Sequence, residues 1–388
     1  MGITLLIIGL ILFILLVVVH ELGHFWVARR GGVEAEEFGI FFPPRVFKKR
    51  MKGGKYGPYD FSINLLPLGG FVKLKGEHDS DTEPGSYGAA NTRTKLRIML
   101  AGVFMNLVTA LALFTVLAWV GMPKLIDNQF TIKSDTKQVH SQLLIGYVEP
   151  GSPAAKAGLQ VRDRLMTVGG QKVTTEQDLP KLTKQFAGKP AKVTYVRGGE
   201  TRSTTATFLT TEAVNASKKT DNPKGYLGVV PREFGLQRST WSAPIVAVGL
   251  SAQLTGLTFQ GLGHALQGVG GIIAGFFTGN HEARSNAQTE ASSQVSGPVG
   301  IFVILRDGSI LGYQFMLMII ALISLTLAIM NVLPIPALDG GRVFVTLLSR
   351  ALKKEISPRA EEAIYGAGFA ALMLLIVLIT VVDVKRFF

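Results

Sequence analysis

His20-Glu21-Leu22-Gly23-His24 is the stretch of this 388-residue chain best equipped for chemistry. In a helix, residues four apart share one face, so the two imidazoles can grip one cation. Glu21 stands beside the first ligand, angled toward the open coordination position. A zinc ion held there would lower the pKa of a bound water to about 7, with Glu21 accepting the proton. The hydroxide would attack an amide carbonyl polarised by the metal, and the same carboxylate would return the proton to the leaving amine. The setting sharpens the expectation, because apolar or small residues run from Ile3 to Val19 straight into the motif. An ionisable group in lipid costs about 2.5–3.5 kcal/mol. Three of them on a membrane helix are expected to serve a site; a chance match belongs on a soluble helix.

The elements that must position these residues follow from composition. The chain is 47% hydrophobic and only 17% charged, which marks a membrane protein with a soluble portion. Ile3–His20, Ile98–Pro123, Gly308–Leu338 and Ala363–Val382 carry no Asp, Glu, Lys or Arg. Each approaches or exceeds the roughly 20 residues that cross a hydrocarbon core of about 30 Å. The expected fold is a polytopic α-helical membrane protein with four transmembrane helices. Its expected segments are a first span at 1–28, a loop at 29–97, a second span at 98–122 and a soluble region at 123–235. Amphipathic helices and a linker follow at 236–307, then a third span at 308–338, a loop at 339–362, a fourth span at 363–382 and a tail at 383–388.

The formal net charge of +13 does not point to nucleic acid, because no aromatic-basic module accompanies it. Arg29-Arg30, Lys48-Lys49-Arg50 and Arg93/Lys95/Arg97 lie beside membrane segments and read as anchors against an anionic leaflet. The expected partners are the lipid bilayer and membrane-protein substrates; oligomeric state is not legible. With no cysteine, disulfides and thiolate metal sites are excluded. The first apolar stretch lacks a basic n-region and an A-x-A site, so it reads as retained rather than as a signal peptide.

Basic residues place the 29–97 loop in the cytosol. The first helix then runs inward, the second outward, and the third inward again, leaving both termini extracytoplasmic. Asp339, at the end of Asn331-Val332-Leu333-Pro334-Ile335-Pro336-Ala337-Leu338-Asp339-Gly340, would lie in the same leaflet as His20 and His24. It is available as a third ligand. The alternative is that Pro-x-Pro ends one helix and Asp339 caps the next. A fifth crossing within 239–280 would send Asp339 to the wrong leaflet. The Gln, Ser, Thr and His content of that stretch argues for amphipathic helices instead.

The His20-Glu21-x-x-His24 and Asn331-x-x-Pro334-x-Pro336-x-Leu338-Asp339-Gly340 pair resembles the site-2 protease family of intramembrane zinc metalloproteases, most closely the bacterial regulator of sigma-E protease group. Pro67-Leu68-Gly69-Gly70-Phe71-Val72-Lys73-Leu74, Ala101-Gly102-x-x-x-Asn106 and Gly297-Pro298-Val299-Gly300-Ile301 extend the likeness over nearly the whole chain. Val103 stands where many members carry Pro. The resemblance implies a bacterial inner-membrane enzyme with Zn2+ held by His20, His24 and Asp339, and Glu21 as general base. Its substrates would be transmembrane segments of single-span proteins, such as anti-sigma factors or signal-peptide remnants, already cut once outside.

Ile145–Gly170 resembles the start of a bacterial PDZ (α+β) domain, about 141–211, on the extracytoplasmic side. It would either bind an extended peptide or filter substrates by size. The resemblance also implies that residues 33–76 form a membrane-reentrant β element; an ordinary cytosolic hairpin is the alternative. Asn331 would bind substrate backbone, or else join helices. Asn106 reads as structural. His78, His140, His264 and His281 lack ligand spacing, and Gly279–Ser296 reads as a polar, mobile hinge. A silent peptide-binding scaffold and a metal-ion transporter are the rival functions.

Overall fold

The computed structural model of the protein describes residues 2–217, 224–278, 297–354 and 356–387. The expected hinge at Gly279–Ser296, with His281, lies outside them. The chain divides into two compact units. The first comprises Leu6–Phe114, Ala247–Ser309 and Met316–Phe388; the second comprises Met1–Leu5, Thr115–Val246 and Ile310–Phe315.

An unbroken apolar run makes α1 (Gly2–Arg30) a helix of 29 residues, about 43 Å long. It is followed by α2 (Thr92–Val120), α6 (Ala243–Thr278), α7 (Pro298–Leu311), α8 (Tyr313–Val332), α9 (Asp339–Leu352) and α10 (Pro358–Phe387). Among the described residues, five helices are long and apolar enough to cross a membrane: α1, α2, α6, α8 and α10. Four were expected, and the difference is α6. Two of its threonines fold onto their own helix: Thr255 Oγ1 donates to Ser251 O at 2.7 Å and Thr258 Oγ1 to Leu254 O at 2.9 Å. Hydroxyls satisfied this way need no water. The expected third span is also shorter. Gly312, at φ 112°, separates α7 from α8, and the chain leaves the helix after Val332, ahead of Pro334 and Pro336.

Contacts fix helix direction within the first unit. Gly9 abuts Met316 and Gly23 abuts Ala101, while His20 meets both Asn106 and Asp339. Thus α1 and α8 run the same way and α2 runs opposite. Asp339 therefore returns to the histidines although α6 is long enough to span.

Two strands, β1 (Ala35–Met51) and β2 (Tyr59–Leu74), fold back on each other. Glu37–Ile40 pairs with Asp60–Ile63 on one side and with Gly70–Lys73 on the other, while Phe47–Met51 pairs with Tyr59–Ile63. Gly70–Leu74 is left as one edge. The alternation in β2 is inverted relative to a soluble hairpin. Ser62 and Asn64 are buried, whereas Ile63 and Leu65 are exposed. Asn64 Nδ2 donates to the Phe41 carbonyl at 3.0 Å, so the polar side faces inward, while the buried Oδ1 has no partner among the described residues.

The second unit holds a sheet in the order β3-β9-β4-β5-β7-β8, with β6 beside β5. These strands are β3 (Met122–Pro123), β4 (Lys137–Val148), β5 (Arg164–Val168), β6 (Gln171–Lys172), β7 (Pro190–Arg197), β8 (Glu200–Thr207) and β9 (Val229–Arg238). Short helices α3 (Pro153–Lys156), α4 (Asp178–Gln185) and α5 (Thr211–Ser217) accompany it. Leu143, Ile145, Leu165, Val193 and Phe208 form its core. The sheet extends beyond 141–211, because β9 pairs along β4 from Lys137 to Val148.

Asp135 ties the start of α6 to this unit. Its Oδ2 accepts from Thr240 N at 2.8 Å, Ser242 N at 3.0 Å and Ser242 Oγ at 2.6 Å. Desolvation opposes the charged form, but the hydrogen bonds from Ser242 and Thr240 more than offset it and hold the carboxyl below the usual carboxylate range. This stabilisation is complete above the ordinary aspartate pKa of about 4. It is lost as pH falls through the lower value of the folded protein. Hydrogen-exchange protection of Thr240–Val246 should therefore fall on acidification below that range. In Asp135→Asn protein it should already be reduced at neutral pH.

Candidate metal centre

His20 and His24 lie on one face of α1, and their Nε2 atoms approach to 3.1 Å. Asp339 begins α9, with Leu338 as the preceding cap residue. Its Oδ2 lies 3.2 Å from His20 Nε2 and 3.3 Å from His24 Nε2. That buried oxygen has no hydrogen-bond partner among the described residues. Among the described residues, these three form a group whose ligand atoms all lie within 4.8 Å of one another. Tetrahedral zinc with bonds of about 2.0–2.1 Å sets its ligand atoms about 3.3 Å apart. Both the spacing and the donor set, two imidazoles and one carboxylate, fit that ion. Asp339 thus starts a helix, as the capping alternative required, and also turns its carboxylate to the histidines.

Both imidazoles are oriented from behind. His24 Nδ1 lies 2.7 Å from the Ile98 carbonyl oxygen, which fixes the hydrogen on Nδ1 and frees Nε2 for a cation. His20 Nδ1 lies 3.1 Å from the Asn106 amide nitrogen; the Asn106 Oδ1 is buried and has no partner among the described residues. When His20 turns Nε2 to a cation, Nδ1 carries the hydrogen. The amide rotamer that presents Oδ1 is then selected. Asn106, read from the sequence as structural, reaches His20 and is also joined to α8. Ser324 Oγ, on α8, donates to its carbonyl at 2.8 Å.

Glycines make the convergence possible. A Cβ on Gly102 would lie 2.4 Å from His24 Nε2 and 2.6 Å from His20 Nε2, so any side chain there would displace the imidazoles. Behind Asp339, a Cβ on Gly340 would lie 2.2 Å from the Val332 carbonyl oxygen, and one on Gly341 2.2 Å from that of Ile335. The turn that aims Asp339 depends on both.

A cavity of about 220 Å³ joins this centre to Glu21, to the edge residues Gly70–Val72 and to Tyr87 and Arg342. Gly70 packs against Glu21, whose Cγ would be 3.0 Å from a Cβ there. The Tyr87 hydroxyl is buried and has no hydrogen-bond partner among the described residues. Burial pushes it above the ordinary phenol range, so it remains a donor at neutral pH. Arg342 pairs with Glu77 at 3.4 Å. Behind it, the fully buried Lys95 pairs with Asp79, and Arg350 reaches Asp79 at 3.1 Å. These pairs tie the 74–92 loop to α2 and α9.

No pattern of residue types singles out Tyr87 or Arg342, which become neighbours of Glu21 only through folding. Asn331 lies in the last turn of α8 and is not among the residues lining the cavity. His78 lies 3.8 Å from Glu361 and 3.5 Å from Glu362, away from the centre.

A protein of Clostridium perfringens is 30% identical over 97% of both chains. One of Clostridium acetobutylicum is 28% identical over 97% of this chain and 96% of its own. One of Campylobacter jejuni is 28% identical over 96% and 90%. All three are provisionally named zinc metalloproteases. The model of peptidase family M50 matches residues 8–375. With its His-Glu-x-x-His helix, its distant aspartate and this match along almost its entire length, the chain belongs to peptidase family M50.

Proposed function

We propose that this multi-pass membrane protein is an intramembrane zinc metalloprotease of the site-2 type, nearest the regulator of sigma-E protease group. It would hydrolyse peptide bonds within transmembrane segments of single-span proteins, including anti-sigma factors and signal-peptide remnants. The observation that carries the reading is the meeting of His20, His24 and Asp339 beside Glu21, in a cavity bordered by a strand edge. When bound, zinc supplies Lewis acidity, polarising the scissile carbonyl and acidifying water.

The chain's own residues do the rest. Glu21 takes the proton of the attacking water and passes it to the leaving nitrogen. Tyr87 and Arg342 offer donors to the oxygen on which charge develops. A helical peptide bond is hydrogen-bonded and shielded, so the substrate must unwind. Gly70–Leu74 offers an edge on which an unwound segment can add as a strand. The apolar outer face of β2, at Ile63 and Leu65, supports a membrane-reentrant placement of this sheet. Asn331 is assigned to hold substrate backbone beyond the cavity.

The second unit is read as a PDZ-like domain outside the membrane. A cavity of about 480 Å³ between α4 and β9, reached by Leu179, Lys184, Tyr226 and Val229, suits capture of an extended peptide. Size filtering needs no such cavity. Both termini are placed outside the plasma membrane. The basic 29–97 and 339–362 segments are placed in the cytosol.

Glu21→Gln protein should retain zinc by metal analysis and lose cleavage of a single-span substrate by at least about a hundredfold. His20→Ala, His24→Ala or Asp339→Ala should lose zinc and activity together. Full cleavage by the Glu21→Gln protein would overturn the assignment. Asn106→Ala should weaken zinc binding roughly 10–100-fold, as measured by competition with a chromogenic chelator. Tyr87→Phe should keep zinc and substrate KM while lowering kcat, on the order of tenfold or more.

A further inference from the structure

A second, outward-facing feature lies on the α1–α2 pair. The helices pack so closely that a Cβ on Gly23 would sit 2.7 Å from the Ala101 carbonyl oxygen. Beside this contact runs a groove of about 470 Å³ whose lining includes Trp26, Leu100 and Phe104 along its apolar part, with Arg30 and Arg97. Trp26 is 55% exposed and Phe104 62% exposed, so the walls are open to whatever surrounds the helices.

The two guanidiniums share one end. Arg30 follows Gly23 along α1, and Arg97 precedes Ala101 along the oppositely directed α2. They extend about 10 Å and 6 Å beyond the contact, respectively, in the same direction. Phe104 lies past Ala101 at the other end. Both arginines are exposed, and neither has an ion-pair or hydrogen-bond partner among the described residues. A trough that is apolar along its length and doubly cationic at one end matches an amphiphile with an anionic head. It does not match a soluble anion, which has no use for the apolar part.

We propose that this groove binds one anionic phospholipid. Its phosphate lies between Arg30 and Arg97, whose planar forks suit phosphate oxygens. An acyl chain runs past Trp26 and over Gly23 toward Phe104. The site goes beyond the protease reading and does not depend on it. It does bear on the metal centre, because Gly102, next to Ala101, is the residue packed against both histidine rings. A lipid filling the groove holds α1 against α2 where the ligands are carried.

Trp26 reports on the groove directly. In protein whose other tryptophans are replaced (Trp119→Phe, Trp241→Phe), reconstituted in phosphatidylcholine nanodiscs, brominated acyl chains quench Trp26 on contact. Brominated phosphatidylglycerol should quench about threefold more than brominated phosphatidylcholine at equal mole fraction, given the attraction of paired arginines for anionic lipid. Arg30→Gln/Arg97→Gln should abolish that difference while zinc content, measured as a folding check, is retained. Equal quenching by the two lipids in the Arg-bearing protein would overturn the proposal, as would a difference that survives the double substitution. Loss of the difference on adding inorganic phosphate would also overturn it, since it would show a headgroup-sized anion site without a bound chain.

Discussion

Two imidazole nitrogens and one carboxylate oxygen are held 3.1–3.3 Å apart among apolar helices. Three electron-rich atoms hold that arrangement only when a cation lies between them or when their surroundings force them together. Here the surroundings are visibly arranged to do so. Ile98 and Asn106 orient the rings, Gly102 leaves them room, and the Gly340-Gly341 turn aims Asp339. Much of the helical unit follows from this requirement. It sets the close packing of α1 on α2, the common direction of α1 and α8, and the end of α8 before Pro334.

The β element answers a different difficulty. Most sheets bury apolar side chains and expose polar ones; here Ser62 and Asn64 are inside and Ile63 and Leu65 outside. Such a sheet suits apolar surroundings, because exposed hydrocarbon costs nothing there, and inside it the Asn64 amide nitrogen reaches a backbone carbonyl. Its Gly70–Val72 edge lies beside Glu21. Gly70 lets that edge come close, since a larger residue would press on the Glu21 side chain.

Charge supports the polar end of the centre. Lys95, Asp79 and Arg350 form a linked set, with Arg342 and Glu77 as a neighbouring pair. Buried ion pairs contribute little net stability against apolar packing, but breaking one leaves a costly unpaired charge. Their evident effect is positional: they hold the loop carrying Tyr87 against α9, which carries Asp339 and Arg342.

Local chemistry was legible in the sequence because it is written at short range. The i, i+4 histidines, the adjacent glutamate and the apolar helix that carries them all follow from helical periodicity and hydropathy. Positive charge beside the membrane segments put Asp339 in the same expected leaflet as the histidines, and the family resemblance named it as a ligand; neither supplied a distance. The polar letters of α6 pointed to amphipathic helices, whereas the stretch forms one helix long and apolar enough to cross a membrane, in which threonine hydroxyls bond to their own helix. Asn106, Tyr87, Arg342 and Gly102 acquire their places only when α1, α2, α9 and the 74–92 loop pack together. Sequence specifies which groups can act; only packing decides which of them meet, because the distances that matter separate residues far apart along the chain.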